Sequence, residues 1–467
     1  MIWNLKSYGK RVAIEEKDHI YTYSDLFDIT EEIKSFFERK SLIFVLSQNT
    51  VGSLVGYLSF LNYGMVPLML EENIDQNLLN HLVEEYKPNY FWVPDKEVQR
   101  FPYGQQVFSK YEYSLLKNEE DNFSKINPEL ALLVNTSGSI GSPKLVRQSY
   151  RNIRSNAAAI AEYLHINENE KAITSLPMNY VYGLSVINSH MMVGGSIVLT
   201  DLKCYMNDFW KLVIDKKVTS FSGVPFMYEM LYKLKITKKD IPLLKTFTQA
   251  GGKLSPVLQE YFGKYALENG KKFYIMYGAS EATSRMSYLP EKDALRKINS
   301  IGIAIPGGRF ELIDENGEKI NTSYKTGELV YYGPNVMLGY SHTREDLQKP
   351  DEMNGKLLTG DLAYKDDEEY YYITGRKARF IKILGKRLSL DETEMLLKKK
   401  FPGQIACAGK DDLLSVFVTE ETLVNDISSY IDEILQINRA LYKVRIINEI
   451  PKNGSGKILY SELNKFL

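Results

Sequence analysis

A loop dense in glycine and hydroxyl residues lies near the end of the first third of the sequence. Residues 135–144 read NTSGSIGSPK and follow the apolar run 132–134. Glycines let backbone N–H groups approach an anion, hydroxyls donate further hydrogen bonds, and Lys144 adds positive charge. The loop is not a Walker loop, because the spacing differs and Leu145 follows the lysine. The composition is that of a phosphate-binding loop, although a plain surface turn can share it.

Further groups at glycine-rich turns could take part in the same chemistry. Residues 276–281 (MYGASE) place an aromatic ring, a hydroxyl and a carboxylate at the end of an apolar segment. Asp361 and Arg376 each follow a glycine, and Lys457 lies in the glycine-serine segment 451–458 (PKNGSGKI). Each group alone also has a plain interpretation as a capped turn, a surface ion pair or a solvated lysine.

The elements that must position these groups alternate through the first two thirds of the chain. Short β-rich runs and helical stretches are predicted in the order strand 41–46, helix 50–62, strand 66–70, helix 76–85 and strand 90–93. This alternation indicates βαβ units and largely parallel sheets.

Two charge-free stretches, residues 51–70 and 172–200, could be mistaken for membrane spans. Both are interrupted by asparagine, glycine and proline. Each is therefore predicted to be a buried helix followed by a buried strand, and no membrane span is expected.

The pattern changes after about residue 300, where short strand-like pieces separated by turns predict a small antiparallel barrel or sheet. Beyond Gly375 a strand, an amphipathic helix and further short elements follow. We therefore predict an α/β fold, with a large N-terminal domain (residues 1–374) of two βαβ-type sheet subdomains plus a small β-barrel. A boundary segment (375–378) leads to a small α+β C-terminal domain (379–467) that carries Lys457.

Composition excludes several classes of protein. The 467 residues include 58 Lys+Arg and 59 Asp+Glu, so there is no basic excess to neutralise a nucleic-acid backbone. The two cysteines, Cys204 and Cys407, exclude a disulfide scaffold and fit a reducing compartment. Because the first residues also lack an apolar signal-type stretch, a cytoplasmic location is expected.

Taken together and in order, the motifs resemble those of one superfamily. They are TSGSIGSPK, YGASEAT, SIGIAIPG, GELVYYGPNVMLGY, TGDLAY and PKNGSGKI. The chain resembles the adenylate-forming (AMP-binding) superfamily of acyl- and aryl-CoA synthetases, peptide-synthetase adenylation domains and luciferases over nearly its whole length. Any one of these motifs alone would be weak, whereas six in the correct order are highly specific.

The resemblance implies a two-step reaction. A carboxylate attacks the α-phosphorus of ATP to give an acyl-adenylate and pyrophosphate, and a thiol then displaces AMP. Because an anion must approach a polyanion, positive charge and Mg²⁺ are needed. The resemblance therefore implies ATP and Mg²⁺, a small carboxylic acid substrate, and CoA or a phosphopantetheine as thiol acceptor.

The resemblance also assigns roles to individual residues. It places the β- and γ-phosphates at Thr136, Ser137, Gly138, Ser139, Gly141 and Lys144. It places adenine at Tyr277 and the backbone of Gly251 and Gly252, and the ribose at Asp361 with assistance from Arg376. It places the α-phosphate at Ser280, where the family usually has threonine, Mg²⁺ at Glu281, and the catalytic charge for the first step at Lys457.

The resemblance further implies that the C-terminal domain is mobile and adopts one pose for each step. The family hinge is usually Asp or Lys, whereas this chain has Ala378, which puts the details of hinge stabilisation in doubt. Gly385 is expected to face the thiol channel in the second pose.

The acid and the acceptor are less well specified. Tyr180, Gly223, Phe226 and Met276 are the predicted substrate pocket, although they could equally be core. Residues 172–200 contain no acidic side chain to pair with an ammonium group, which favours an uncharged or weakly polar acid over an amino acid.

CoA is the favoured acceptor, with Lys382, Lys386 and Arg387 as candidate phosphate contacts that could equally form a solvated face. The alternative is a stand-alone adenylation enzyme that loads an amino, hydroxy or acyl acid onto a separate carrier protein. A luciferase-like oxidoreductase has no support in the sequence. A catalytically dead scaffold would be expected to lack Lys144, Glu281, Asp361 or Lys457, and all four are present.

Overall fold

The computed structural model describes residues 2–119, 124–135, 144–377, 379–383, 386–435, 438–453, 456 and 458–467. Its α-helices are α1 (Tyr23–Lys34), α2 (Val51–Asn62), α3 (Gln76–Tyr86), α4 (Tyr150–Leu164), α5 (Val181–Met192), α6 (Asn207–Asp215), α7 (Pro225–Lys233), α8 (Pro256–Glu268), α9 (Leu390–Lys400), α10 (Leu423–Leu435) and α11 (Tyr460–Asn464).

The strands of the first half are β1 (Val12–Glu16), β2 (His19–Thr22), β3 (Leu42–Ser47), β4 (Val66–Glu71), β5 (Tyr90–Pro94), β6 (Gly104–Lys110), β7 (Tyr113–Asn118), β8 (Leu130–Asn135), β9 (Leu145–Ser149), β10 (Lys171–Ile173), β11 (Ser196–Leu199) and β12 (Ser220–Gly223). Those of the second half are β13 (Thr246–Gln249), β14 (Lys272–Tyr277), β15 (Ser287–Leu289), β16 (Ile303–Ala304), β17 (Arg309–Ile313), β18 (Gly327–Tyr332), β19 (Gly339–Ser341), β20 (Lys356–Lys365), β21 (Tyr371–Arg376), β22 (Phe380–Ile383), β23 (Lys386–Ser389), β24 (Ile405–Lys410), β25 (Leu413–Val418) and β26 (Tyr442–Ile446).

The chain divides into two compact units. The first comprises Met1–Arg309 and Tyr332–Leu357, and the second comprises Phe310–Tyr331 and Leu358–Leu467. The first unit contains a nine-stranded sheet in the order β16-β15-β14-β13-β12-β10-β11-β1-β2 and an eight-stranded sheet in the order β19-β9-β8-β4-β3-β5-β7-β6. The inner strands of both sheets pair in parallel, which confirms the predicted α/β class with βαβ-type sheets.

Helices α2 and α5 explain the two charge-free stretches. Every residue of α2 is buried, and its side chains share one hydrophobic core with α5 and with strands of both sheets. A helix buried on all sides has no face for charged residues. The strands β4 and β11 follow these helices, as predicted. Across the described ranges, none of the helices has the length and apolar character that a membrane crossing needs.

The second unit is built on smaller sheets. A four-stranded sheet (β17-β18-β20-β21) stands where the small barrel is predicted, followed by the β22–β23 pair and the three-stranded sheet β24-β25-β26. The four-stranded sheet thus clusters with the C-terminal segment. The boundary proposed at residues 375–378 and the hinge at Ala378 stay predictions, and Ala378 lies outside the described residues.

Candidate active site

The carboxyl ends of β12, β13 and β14 lie at one edge of the nine-stranded sheet, because these neighbouring strands are parallel. Gly251 follows β13 by two positions, and Tyr277 ends β14. Ligands of open α/β sheets bind outside the carboxyl ends of the strands. The predicted adenine contacts Gly251 and Tyr277 are about 26 positions apart in the sequence. The sheet therefore brings them to the same edge, where ligand binding is expected.

The loop after β14 folds back closely on itself. A Cβ at Gly278 would lie 1.6 Å from the carbonyl oxygen of Ser284, so only glycine fits there. Thr283 and Ser284 have φ angles of 54° and 103°, in the region that favours glycine. Such a conformation costs a non-glycine residue about 1–3 kcal/mol and persists only where surrounding contacts hold it.

Asn335 supplies those contacts. It is only 1% exposed, and its side-chain amide donates to the carbonyl oxygens of Ala282 (2.8 Å) and Arg285 (3.0 Å). Its own carbonyl accepts from the Thr283 hydroxyl at 2.7 Å. One buried asparagine from the GELVYYGPNVMLGY motif therefore fixes the strained backbone on both sides of Thr283.

Replacing Asn335 by alanine should lower the free energy of unfolding by about 1–3 kcal/mol, because the buried Ala282 carbonyl would lose its donor and the Arg285 carbonyl would keep only Asn156. Denaturant unfolding of the purified variant measures this. Asn316→Ala is the matched control, since Asn316 lies in an exposed turn. Equal stability of the two variants would contradict the role assigned to Asn335.

Tyr340 joins two of the predicted site residues. Its hydroxyl donates to Glu281 Oε1 at 3.0 Å, and Lys144 Nζ lies 3.2 Å from the centre of its ring. Pairing of β19 with β9 positions the ring, because Tyr340 is opposite Val146, two residues after Lys144. Burial, reinforced by the negative charge of Glu281, raises the pKa of Tyr340 well above its ordinary value, so the hydroxyl stays a donor.

The backbone around Glu281 is tied to neighbouring segments. Gln148 on β9 donates its side-chain amide to the Ser280 carbonyl at 3.0 Å. The N–H of Met337 donates to the Glu281 carbonyl at 2.8 Å. The predicted α-phosphate and Mg²⁺ residues therefore lie on a loop held by both the segment after the glycine-rich loop and the segment before Tyr340.

Tyr180 lies against the predicted adenine-binding backbone. Gly251 has a φ of 84°, and a Cβ there would lie 2.5 Å from the Tyr180 hydroxyl and 3.1 Å from Val224. Only glycine leaves room for this approach. Burial raises the pKa of Tyr180, so its hydroxyl is neutral near pH 7.

The four predicted pocket residues are not all brought together. Met276 is buried among residues of α4 and α5 on one face of the sheet. Gly223 packs toward Phe221 and Tyr228 instead, on the opposite face, because neighbours alternate along a strand. Phe226 is 44% exposed on α7. The structure therefore places Met276 and Tyr180 on the buried side and leaves Gly223 and Phe226 away from them.

In the second unit, Asp361 and Arg376 are adjacent. They are register partners on β20 and β21, and Arg376 Nε donates to Asp361 Oδ1 at 3.0 Å. Asp361 is buried, whereas the Arg376 side chain is 56% exposed. Both residues belong to paired strands and not to isolated turns. Gly360, which precedes Asp361 on β20, has a φ of 70°, so the backbone departs from regular strand geometry where the pairing begins.

Comparison with known proteins identifies the family. Residues 2–341 match the family described as AMP-binding enzyme. The chain belongs to the AMP-binding enzyme family. This AMP-binding enzyme is 24% identical to a 2-succinylbenzoate–CoA ligase of Oceanobacillus iheyensis, with 98% of this chain and 96% of the relative covered. It is 29% identical to a long-chain-fatty-acid–CoA ligase of Bacillus subtilis, with 74% of this chain and 64% of the relative covered.

A solved structure shares the fold of this AMP-binding enzyme. The o-succinylbenzoate CoA synthetase of Bacillus subtilis, in complex with its acyl-adenylate intermediate, is 21% identical with a TM-score of 0.79. The alignment covers 98% of this chain and 97% of that one. The same protein in complex with ATP and a magnesium ion gives a TM-score of 0.77. The predicted superfamily and fold class are thereby confirmed.

Several predicted residues of this AMP-binding enzyme lie outside the described residues. They are Thr136, Ser137, Gly138, Ser139, Gly141, Gly385 and Lys457. The segments around two of them are described. Lys452 and Ile458 form an antiparallel bridge around Lys457, and β22 pairs with β23 around Gly385.

Sequence reasoning missed Tyr340, Asn335 and Gln148. The signal for the first two was present, because both lie in the quoted GELVYYGPNVMLGY motif. No role follows from the motif alone, however, since each residue acts through a contact more than fifty positions away. Gln148 had no signal beyond its place four residues after Lys144.

Proposed function

We propose that this AMP-binding enzyme is an ATP-dependent acid–CoA ligase. It activates a carboxylic acid as an acyl-adenylate with release of pyrophosphate and transfers the acyl group to CoA. The observation that carries the proposal is the meeting of Lys144 and Glu281 at Tyr340, in a chain whose curated relatives are CoA ligases over most of their length.

The residues around Tyr340 fit a nucleotide with its metal ion. The carboxylate of Glu281 is half-buried and oriented by one hydrogen bond, and a hard cation prefers such an oxygen ligand. Mg²⁺ bound there neutralises phosphate charge. Lys144 and the glycine-rich loop hold the β- and γ-phosphates, while Ser280 donates to the α-phosphate.

The remaining nucleotide contacts rest on the family resemblance. In the first unit, Tyr277 stacks on adenine and the backbone of Gly251 and Gly252 lines its edge, where the absence of a side chain allows close approach. In the second unit, Asp361 accepts hydrogen bonds from the ribose hydroxyls, and Arg376 orients its carboxylate.

The reaction balances in two displacements. In the first, a carboxylate oxygen forms a bond to the α-phosphorus and the bond to the pyrophosphate oxygen breaks. In the second, the CoA sulfur bonds to the acyl carbon, the bond to AMP breaks, and the thiol proton is released. Lys457 stabilises the negative charge that develops in the first displacement, and Gly385 faces the thiol in the second.

CoA is the proposed acceptor in preference to a carrier protein, because the relatives compared are named as CoA ligases. The acids in their names differ, so relatedness alone leaves the acid open. We also propose a cytoplasmic location, since both cysteines are unpaired and buried, as in proteins of a reducing compartment.

The test uses purified full-length protein with ATP, Mg²⁺, hydroxylamine and a panel of carboxylic acids. We expect pyrophosphate and a hydroxamate with one class of acid, and a thioester when CoA replaces hydroxylamine. Thioester formation only with a phosphopantetheine-bearing carrier protein would overturn the acceptor. Tight ATP binding without turnover of any acid in the panel would overturn the ligase function.

A further inference from the structure

Arg285 carries a buried positive charge that the proposed reaction does not use. The residue is 1% exposed. Its guanidinium donates to the hydroxyls of Ser185 (3.2 Å) and Tyr163 (3.1 Å) and lies 3.2 Å from the Met276 sulfur. All these partners are neutral, and within the described ranges no carboxylate pairs with Arg285.

A buried charge without a counter-ion is expensive, because neutral hydrogen-bond partners and the Tyr182 ring, 5.0 Å from the guanidinium, replace only part of its hydration. A guanidinium has five N–H donors, and the contacts with Ser185, Tyr163 and Met276 use only Nε and Nη1. The two N–H groups of Nη2 therefore have no acceptor among the described residues. Arg285 also belongs to the lining of a cavity, so the geometry leaves donors for a ligand that enters it.

The cavity has a volume of about 160 Å³ and lies between the sheet and helices α4 and α5. Its floor is made of hydroxyl side chains at alternate positions of two neighbouring strands, Ser220 and Ser222 on β12 and Thr246 and Thr248 on β13. Residues at alternate positions share one face of a sheet. A polar floor under buried helices is unusual for a core and is suited to a polar ligand.

The charges around this cavity are mostly positive. Lys245 and Lys272 line it together with Arg285, and the one carboxylate among its described lining residues, Glu170, lies 4.0 Å from Lys245. His190 also lines the cavity, and burial lowers its pKa to about 4, so it is neutral near pH 7. The described lining therefore offers a cation and hydroxyl groups, and it places no anion near the guanidinium.

Arg285 links the cavity to the loop of the proposed reaction site. Arg285 ends the strained loop that carries Ser280 and Glu281, and its guanidinium contacts Met276, the residue before Tyr277. From there the lining extends to Thr246 and Lys272, at the amino ends of β13 and β14. A substrate that uses this charge has its reacting carboxylate at the carboxyl edge of the sheet and its other end at Arg285.

We propose that Arg285 binds a second carboxylate on the acid substrate, so that the preferred substrates are dicarboxylic acids. The inference rests on the proposed ligase function and specifies its substrate class. It replaces the sequence-based expectation of an uncharged or weakly polar acid. A carboxylate fits because a guanidinium fork matches its two oxygens, and because one cation then meets one anion. The hydroxyls of Ser222 and Thr248 lie 2.9 Å apart and bond to each other, which leaves one O–H of the pair as a further donor.

The experiment compares matched pairs of acids on the wild-type protein. Linear and aryl diacids of increasing length are each paired with the same-length acid whose far carboxylate is replaced by a methyl group. Hydroxamate formation with ATP and Mg²⁺ gives kcat/KM for each. We expect one diacid to exceed its partner by about 10²–10³-fold, since a monoacid would leave the buried guanidinium unpaired.

Two variants assign the preference to Arg285. In Arg285→Met the ratio of the two kcat/KM values should fall by about 10²-fold or more, mainly through KM for the diacid, whereas Arg285→Lys should keep part of it. Thr248→Val tests the cavity floor without altering the charge and should lower the ratio several-fold. If Arg285→Met does not fold, the ratio of kcat/KM for diacid and monoacid in the wild-type protein and in Thr248→Val still tests the proposal.

The outcomes separate this inference from the proposed function. Equal use of diacids and monoacids by the wild-type protein, or an unchanged ratio in folded Arg285→Met, would overturn the role of Arg285 and leave the ligase function standing. Absence of hydroxamate with every acid of both kinds would overturn the ligase function itself. A diacid preference that Arg285→Met abolishes would support both.

Discussion

Lys457→Ala should reduce the rate of acyl-adenylate formation by about 10²–10³-fold, the usual effect of removing one donor that meets charge developing in the transition state. The proposed position of Lys457 is at the attacking carboxylate and the α-phosphate, where negative charge accumulates during the first displacement. Pyrophosphate release at saturating acid and ATP measures the effect.

A second lysine of the same segment provides the control. Lys452 is exposed and pairs with Ile458, the residue that follows Lys457 in the sequence. We therefore expect Lys452→Ala to retain pyrophosphate release within a few-fold. Transfer to CoA from acyl-adenylate supplied directly should survive in Lys457→Ala, because that step does not need the lost donor. Normal pyrophosphate release by Lys457→Ala would contradict the catalytic role proposed for Lys457.

Glu281→Gln should lower the adenylation rate by about 10²-fold at a fixed Mg²⁺ concentration, equivalent to about 2.7 kcal/mol. Glutamine keeps an oxygen that can accept from Tyr340 but removes the negative charge that attracts the cation. The loss should therefore shrink as Mg²⁺ is raised. Pyrophosphate release as a function of Mg²⁺ concentration measures both effects.

Glu268→Gln is the matched control, because Glu268 is exposed at the end of α8 and has no assigned role. Its Mg²⁺ dependence should equal that of the wild-type protein. A Glu281→Gln variant with a lowered rate but an unshifted Mg²⁺ dependence would overturn the assignment of Glu281 to the metal ion.

Local sequence patterns were sufficient to predict the bounds of helix α2 and the burial of the charge-free helices. Helix α2 begins where Thr50 caps it and ends before the predicted strand β4, within a residue or two of the sequence-based bounds. Charge-free helices were recognised as buried because flanking asparagine, glycine and proline interrupt them. Such signals are local, since each depends on neighbours within one or two helical turns.

The predicted pocket shows the limit of this reasoning. Gly223 and Phe226 are close to β12 in the sequence, yet one faces the opposite side of the sheet from Met276 and the other is exposed. Which face of a strand a residue occupies depends on register, and a shift of one position reverses it. Sequence spacing could not settle that register for a strand buried on both sides.

The sequence by itself determined the family, the order of its motifs, the α/β class and the residue types needed for phosphate and metal binding, because these are properties of short segments. Only the tertiary structure decided which residues meet. It placed Tyr340 on Glu281, 59 positions away, and Asn335 on the strained loop after Gly278. Among the residues that the structure describes, it also left Arg285 buried without a carboxylate partner, beside a polar cavity. The charge balance of a buried site depends on contacts between distant segments, and those form only when the sheets pack.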